Sequence, residues 1–199
     1  NGNLWLFGGP GYPASAGISI GVLNDLWKYN IATGQWTWVS GADTDSQNGV
    51  YGTKGTAAAG NVPGAREDAM SWIDATNGNL WLFGGYGKDS IGVYGQLNDL
   101  WKFTISSGQW TWVSGSRLAD NLSVKGIYGT KGTPDLTNVP GGRYGAASWT
   151  DTSGNLWLFS GYGWDSANNL GPLNDLWKFN IANGQWTWMG GSSSSNQTG

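Results

Sequence analysis

Residues 23–41 read LNDLWKYNIATGQWTWVSG, and nearly the same letters return as LNDLWKFTISSGQWTWVSG at residues 97–115 and as LNDLWKFNIANGQWTWMGG at residues 173–191. Each copy contains two short runs that are rich in aromatic and β-branched residues, and a turn that contains glycine separates them. This pattern predicts a pair of antiparallel strands joined by a tight connection. The chain is therefore a repeat protein, and the repeat decides its fold.

A second repeated motif lies before each strand pair. GNLWLFGG begins at residues 2 and 78, and GNLWLFSG begins at residue 154, so the repeat unit has 76 residues. In the last two units a further strand comes before this motif, with the sequence AMSWIDATN from residue 69 or AASWTDTS from residue 146. A full unit thus predicts four strands, which in the second unit are residues 69–74, 79–84, 99–104 and 109–114. For the first unit, the sequence predicts three strands.

The alternation of side chains along these strands predicts how the sheets pack. In NLWLF, Leu4 and Leu6 point to one face and the two aromatic residues point to the other, so both faces are apolar. Such a sheet needs a cover on each side, and stacking of sheets face to face provides it. In QWTWV, Trp36 and Trp38 share one face while Val39 and two polar residues share the other, which is typical of a half-exposed outer strand.

Three features together resemble kelch repeats: a strand that ends in a pair of glycines, an aromatic residue at Tyr29, Phe103 or Phe179, and a tryptophan seven positions later. The resemblance implies an all-β fold of kelch-like β-propeller blades, similar to those of the central domain of galactose oxidase. Each blade is expected to be a four-stranded antiparallel meander, with about three blades per chain and no innermost strand in the first. The expected parts are a partial three-stranded blade at 1–41, an inter-blade loop at 42–65, a blade at 66–115, an inter-blade loop at 116–142, a blade at 143–191 and a flexible tail at 192–199.

The unit departs from the kelch pattern in its length, because a kelch repeat has about 50 residues. The excess lies in the two long inter-blade loops, which share GVYGTKGT at residues 49–56 and GIYGTKGT at residues 126–133. A long loop whose sequence repeats in this way is expected to be an ordered arm.

The number of strands departs from the kelch pattern as well. The eleven predicted strands make less than three full blades, whereas a propeller takes about four to eight. Three alternatives follow from this count. The chain is an excerpt of a longer array, or two chains complete a ring of six blades, or a neighbouring copy completes the open end and generates a filament.

The composition excludes several classes of activity. The 199 residues include no histidine and no cysteine, which excludes Ser-His-Asp and Cys-His nucleophiles, the usual zinc and copper ligand sets, and disulfides. The copper radical oxidases of the kelch type need both residue types, so that activity is excluded too. Glu67 and Asp68 form an acid pair, but Tyr144 and Gly145 take their places in the third unit, which disfavours a glycosidase. We predict no catalytic residue, metal or cofactor, and no enzymatic activity.

Charge and hydropathy limit the partners. The formal net charge is -3, and the ten lysines and arginines are scattered without forming a basic stripe, so no nucleic acid is expected to bind. No apolar run reaches the roughly 18 residues of a membrane span, so no membrane insertion is expected. The remaining partners are other copies of the chain, neighbouring blades and glycans.

Two arginines are candidates for ligand binding. Arg66 and Arg143 each follow the proline that lies just before the innermost strand of a blade. The kelch resemblance implies that such arginines line the mouth of a central channel and bind acidic groups. The alternative is a structural role, in hydrogen bonds to backbone carbonyl groups between blades.

One tryptophan falls outside the repeat. Fourteen of the fifteen tryptophans occupy recurrent strand positions, where core packing explains them, but Trp164 stands where the preceding unit has Lys88. Together with Tyr162 and Asp165, its indole predicts a surface that binds a sugar ring. Packing within the loop is the alternative.

Two sequons, at Asn121 and Asn196, are candidates for N-glycosylation and lie in the predicted loop and tail. The near-identical repeats, the lack of reactive side chains and the incomplete number of blades predict a non-catalytic structural or interaction protein. Such a protein is expected to be extracellular or on a bacterial cell surface, where it assembles with other copies or a longer array as a filament or surface-layer component. The alternative is a glycan-binding, lectin-like propeller module.

Overall fold

The computed structural model describes residues 2–14, 19–74 and 77–197. Within these ranges the chain is all-β, as predicted, with seventeen strands and no helix. Accordingly, no helix in the described part of the chain has the length and apolar character needed to cross a membrane. The strands are β1 (Asn3–Gly11), β2 (Gly21–Asn30), β3 (Gln35–Ser40), β4 (Arg66–Glu67), β5 (Met70–Ile73), β6 (Leu80–Phe83), β7 (Tyr86–Lys88), β8 (Tyr94–Gln96), β9 (Leu100–Thr104), β10 (Gln109–Ser114), β11 (Arg143–Tyr144), β12 (Ala147–Thr150), β13 (Leu156–Phe159), β14 (Tyr162–Trp164), β15 (Leu170–Pro172), β16 (Leu176–Asn180) and β17 (Gln185–Gly190).

Three main sheets contain the repeated strands. The first sheet has the order β1-β2-β3, the second β5-β6-β9-β10 and the third β12-β13-β16-β17, and neighbouring strands are antiparallel. The four strands of the second sheet begin and end within one residue of the predicted bounds. In the first sheet β1 pairs only with β2, so its other edge has no partner strand among the described residues.

Two small sheets, which the sequence analysis did not predict, have the orders β4-β7-β8 and β11-β14-β15. The chain passes from β6 to β7 of the first small sheet through Gly84 and Gly85, whose φ angles are 61° and 94°. A Cβ atom on Gly84 would lie 2.7 Å from the carbonyl oxygen of Arg143 and 2.8 Å from that of Leu97. Only glycine allows the backbone to pass so closely at this φ. The glycine pair therefore ends β6 and turns the chain into the small sheet.

Aromatic residues of the first and second main sheets insert into the sheet that follows. Phe7 of the first sheet lies edge-on to Trp110 of the second, with ring centroids 5.5 Å apart. Phe83 of the second sheet lies edge-on to Trp186 of the third at 5.4 Å. Such aromatic pairs add about 0.5–1.5 kcal/mol to the free energy gained from burial alone. The same contact thus holds both sheet interfaces together, and the second sheet is covered on both faces as the alternation predicted.

Candidate functional site

A buried ion pair connects the first small sheet to the second main sheet. Arg66, at the start of β4, donates two hydrogen bonds of 2.7 Å to Asp99, one to each carboxylate oxygen. Tyr51 and Trp101 donate two more to Oδ2 of Asp99, at 2.6 and 2.7 Å. The side chains of the ion pair have no solvent exposure. The carboxylate therefore accepts four hydrogen bonds inside the protein, which offset the cost of burying its charge.

The third main sheet contains the same cluster. Arg143 donates to the two oxygens of Asp175 at 2.6 and 2.8 Å. Tyr128 and Trp177 donate to Oδ2 of Asp175 at 2.6 and 2.7 Å. The repeat of the sequence is thus also a repeat of this buried polar contact.

The electrostatics of the clusters fix their protonation states. Burial alone would lower the pKa of Arg66, but the carboxylate of Asp99 outweighs it and raises that pKa. Burial would raise the pKa of Asp175, but Arg143 outweighs it and holds that pKa below the ordinary value. Burial, with Asp99 adding to it, raises the pKa of Tyr51 well above the ordinary value. At neutral pH, Arg66 is therefore a guanidinium cation, Asp175 a carboxylate and Tyr51 a neutral phenol.

These contacts do not support the ligand-binding role that the kelch resemblance implies for Arg66 and Arg143. Their side chains are fully buried, and Arg66 also donates hydrogen bonds to the carbonyl oxygens of Gly64 and Gly84. A ligand in solvent has no access to either guanidinium in this structure. Hydrogen bonds to carbonyl groups are what the structural alternative predicts.

The first of two repeated arms, residues 49–62, lies across the outer strand of the second sheet. The backbone amide of Gly55 donates to the carbonyl oxygen of Trp112 at 2.7 Å, and the side chain of Asn61 donates to that of Trp110 at 3.1 Å. Lys54 lies 4.3 Å from the centre of the Trp112 ring and donates to the carbonyl oxygen of Gly115 at 2.9 Å. The arm thus covers the strand edge with both backbone and side-chain contacts.

The second arm, residues 126–139, repeats these contacts on the third sheet. Gly132 donates to the carbonyl oxygen of Trp188 at 2.8 Å, and Asn138 donates to that of Trp186 at 3.1 Å. Lys131 lies 5.0 Å from the centre of the Trp188 ring. Two of the three main sheets therefore have an arm on the outer strand.

The first sheet has no such cover from the described residues. Trp36 on its outer strand is 52% exposed, whereas the equivalent Trp110 and Trp186 are 2% and 1% exposed. Asp25 accepts a hydrogen bond of 2.6 Å from Trp27, as Asp99 does from Trp101, but no cation within the described ranges forms an ion pair with it. The first sheet therefore has the carboxylate and the tryptophan of the buried cluster, but no equivalent of the arginine and the tyrosine among the described residues.

A groove of about 560 Å³ lies beside the free edge of β1. Leu6 and Ile73 are among the residues that line it, and they are 53% and 55% exposed. In the second sheet β5 occupies the equivalent position, next to β6. The groove thus has the place in the first sheet that β5 has in the second.

The third sheet is open on its far face. Phe159 occupies the repeat position of Phe7 and Phe83, which insert into the following sheet, but it is 42% exposed. Trp149 is 43% exposed and stacks on Trp157, with ring centroids 5.9 Å apart. Each end of the stack therefore presents an apolar sheet face to solvent.

The structure does not bring Tyr162, Trp164 and Asp165 together as one binding surface. Tyr162 is exposed, but Trp164 is half-buried and donates from Nε1 to Oε1 of Gln96 at 3.2 Å, which joins the two small sheets. Asp165 is buried and accepts hydrogen bonds from backbone amides, among them that of Ser195 at 2.9 Å. Its pKa lies below the ordinary value, because these bonds outweigh burial, which would raise it.

The bond to Ser195 also concerns the segment predicted as a flexible tail. Within it, the amide of Ser192 donates to the side chain of Asn174 at 2.9 Å, and that of Asn196 donates to the carbonyl oxygen of Pro172 at 2.9 Å. Residues 192–197 are thus held against the third sheet and its small sheet by defined contacts, and residues 198 and 199 lie outside the described ranges.

Sequence reasoning missed a row of four tyrosines on the small sheets. Tyr94, Tyr86, Tyr144 and Tyr162 follow one another with ring centroids 6.1, 6.2 and 5.7 Å apart. Three of them are 36–39% exposed, and Tyr144 between them is half-buried. The sequence signal was the Tyr-Gly that follows Gly84-Gly85 in the second unit and Ser160-Gly161 in the third, at residues 86 and 162.

The remaining candidates are the two sequons and the polar side chains. Asn121 and Asn196 are both exposed, as a glycan acceptor requires, and the third residue of the second sequon, Thr198, lies outside the described residues. The described ranges contain no group of three or more acidic, histidine or cysteine side chains that could hold a metal ion.

The comparisons with known proteins show similarity in fold alone. The solved structure of YjhT matches 98% of this chain with a TM-score of 0.55 and 19% sequence identity, and the chain spans half the length of that protein. No family model and no curated protein matches the sequence.

Proposed function

We propose that this chain is a non-catalytic structural and interaction repeat of kelch-like propeller blades, which acts outside the cell by assembling with other copies of itself. One observation carries the proposal: an apolar contact that forms twice inside the chain is left open at both ends of the stack. The absence of histidine and cysteine supports a role without catalysis.

The exposed faces at the two ends of the stack carry the same two kinds of residue that meet at each internal interface. At each internal interface a phenylalanine of one sheet packs on a tryptophan of the next, as Phe7 does on Trp110. The third sheet offers Phe159, and the first sheet offers Trp36, both exposed. The third sheet of one copy therefore has the side chains that the first sheet of another copy can bury. Such head-to-tail contacts generate a ring if the rotation closes and a filament if it does not.

Three observations support reading each main sheet as a propeller blade. The main sheets are antiparallel, their strands lie in sequence order, and each of the last two has four strands. They pack through successive faces, and the contact of Phe7 with Trp110 recurs 76 residues later as that of Phe83 with Trp186. The match to YjhT extends over nearly the whole chain and half of that protein, so a second copy would supply a similar length of chain.

The test of self-association is the molar mass of the protein in solution, measured by light scattering over a range of concentrations. We expect the mass to rise with concentration, and Phe159→Ser to abolish the rise because it removes the inserted ring. Leu136→Ser is the matched control, since Leu136 is even more exposed, at 78%, but lies on an arm and on neither end face. A wild-type protein that stays monomeric throughout would overturn the proposal.

A second function, glycan binding, is favoured by the row of exposed tyrosines. Aromatic side chains present an apolar face together with a polar hydroxyl group, and both suit a sugar ring. The test is a glycan array with wild-type protein, with Tyr86→Ala and with Trp164→Ala. Binding that is lost in Tyr86→Ala assigns the site to the row, and an array without any bound glycan retires this function.

A further inference from the structure

We propose that the outer part of the first sheet is a docking site for the arm of a further repeat unit. The occupant is a polypeptide segment with the sequence pattern of residues 49–67, GVYGTKGTAAAGNVPGARE. The site consists of Asp25, Trp27, Trp36, Trp38 and the carbonyl group of Gly41, and we call it the arm site. This inference does not depend on head-to-tail association of whole chains.

The internal copies show which groups an arm needs. On the second sheet the arm binds the carboxylate of Asp99, the carbonyl oxygens of Trp110, Trp112 and Gly115, and the Trp112 ring. The first sheet has the same residue types at the same positions of its repeat. They are Asp25 for the carboxylate, Trp36, Trp38 and Gly41 for the carbonyl groups, and Trp38 for the ring.

The arm site is already formed without an arm. In the first sheet Trp36 pairs with Tyr29 and Trp38 with Trp27, which is the register that Trp110 and Trp112 have in the second sheet. A register shift follows Trp38 as it follows Trp112. The indole of Trp38 donates to the carbonyl oxygen of Ser40 at 2.8 Å, as that of Trp112 does to Ser114 at 2.9 Å. Binding of an arm therefore needs little rearrangement of the first sheet, and the small loss of conformational entropy favours affinity.

The charges of the arm complement those of the site. Asp25 is a half-buried anion that lacks an ion-pair partner within the described ranges. A segment with the pattern of residues 49–67 brings Tyr51 and Arg66, which bind the equivalent Asp99, and Lys54, which lies over the equivalent tryptophan ring. Asp25 accepts one hydrogen bond where Asp99 accepts four, and it faces the place where an arm would present a guanidinium and a phenol.

The arms of a second copy are not the occupant, because both arms of each chain are already bound to its own second and third sheets. The groove beside β1 lies at the free edge of the same sheet, so a segment that extends past the arginine into an innermost strand would fill it as well. The arm that docks here therefore belongs to an additional repeat unit of the same type.

The test is a titration of the whole protein with a synthetic peptide of residues 49–67, followed by calorimetry and by tryptophan fluorescence. The peptide contains no tryptophan, so any change in emission comes from the protein. The Phe159→Ser variant is titrated in parallel, because it keeps the arm site whether or not whole chains associate. We expect saturable binding of one peptide per chain, with a blue shift as Trp36 and Trp38 lose water.

Variants on both sides make the test specific. Asp25→Asn in the protein, and Arg66→Ala or Tyr51→Ala in the peptide, are each expected to weaken binding about tenfold or more, the loss typical of a charge-assisted hydrogen bond. Asp120→Asn, which removes an equal charge at an exposed turn, is expected to leave binding unchanged. If the peptide shows no saturable binding, or binds Asp25→Asn and wild-type protein equally well, the arm site does not exist. Neither result affects the proposed self-association, which the light-scattering experiment tests separately.

Discussion

At the scale of single residues, the two equivalent carboxylates Asp99 and Asp25 have different environments. Asp99 accepts four hydrogen bonds in the interior, whereas Asp25 accepts one from Trp27. Removing one partner of a buried ion pair costs about 3–5 kcal/mol, because the other charge stays buried. We expect Asp99→Ala to lower the free energy of unfolding by about this amount in urea denaturation. Asp25→Ala is the matched control, with an expected loss of about 1 kcal/mol. Equal losses would show that the ion pair contributes nothing specific.

The buried tyrosines predict a delayed ionisation at alkaline pH. Burial first, and then the adjacent carboxylates, raise the pKa of Tyr51 and of Tyr128. A phenol whose pKa is higher in the folded state than in the unfolded state stabilises the folded protein as long as it is protonated. This contribution to the free energy of unfolding is present below the ordinary tyrosine pKa of about 10 and is lost as pH rises through the folded-state value. An ultraviolet absorbance titration is expected to show these two phenols ionising after the others, as the protein unfolds. The late phase should vanish in the doubly substituted Tyr51→Phe, Tyr128→Phe variant, and its persistence there would refute the assignment.

The roles of single residues were the hardest to predict from the sequence. Arg66 and Arg143 were recognised as repeated, but their partners lie 33 and 32 residues further along the chain, and no local pattern marks such a contact. The signal that could have revealed it is joint occurrence: a tyrosine, an arginine and an aspartate are present together in the last two units. The first unit has only Asp25.

At the scale of elements, the outer strands differ in their exposure to solvent. An arm covers β10 and β17, whereas β3 has Trp36 and Trp38 exposed by 52% and 51%. We expect acrylamide to quench mainly the emission of the exposed tryptophans, which are these two residues and Trp149 at 43%. The doubly substituted Trp36→Phe, Trp38→Phe variant should lose most of the readily quenched fraction, and Trp110→Phe should retain it. A quenchable fraction unchanged by the first variant would mean that β3 is covered in solution.

The main strands were predictable, and the small sheets were not. The strands of the second sheet lie within one residue of the predicted bounds. A run of four to six residues of alternating or apolar character is visible in the local sequence, and each such run recurs in the other units. The strands of the small sheets have two or three residues, which is too short for any period to be visible. They depend on close backbone approaches such as that of Gly84 to the carbonyl oxygen of Arg143, which arise only after the sheets have stacked.

At the scale of the whole molecule, the stack has direction. The aromatic residues of β1 and β6 point towards the following sheet, and Phe159 at the equivalent position of β13 is exposed. The two end faces therefore differ: the first sheet presents Leu4 and Leu6, and the third presents Phe159. An interface between unlike faces is heterologous, and it extends until a ring closes or the subunits run out. An isologous dimer would instead join two like faces and stop there.

This difference can be tested by mixing two variants, each with one damaged end. Leu6→Ser damages the face of the first sheet, because the equivalent Leu82 and Leu158 are buried at 4% and 0% in the internal interfaces. Phe159→Ser damages the face of the third sheet. We expect each variant alone to be monomeric by sedimentation velocity, and an equimolar mixture to form a dimer that grows no further, since only one intact face of each kind remains. If the faces pair like with like, one variant alone will dimerise and the mixture will contain no new species, which would rule out head-to-tail assembly.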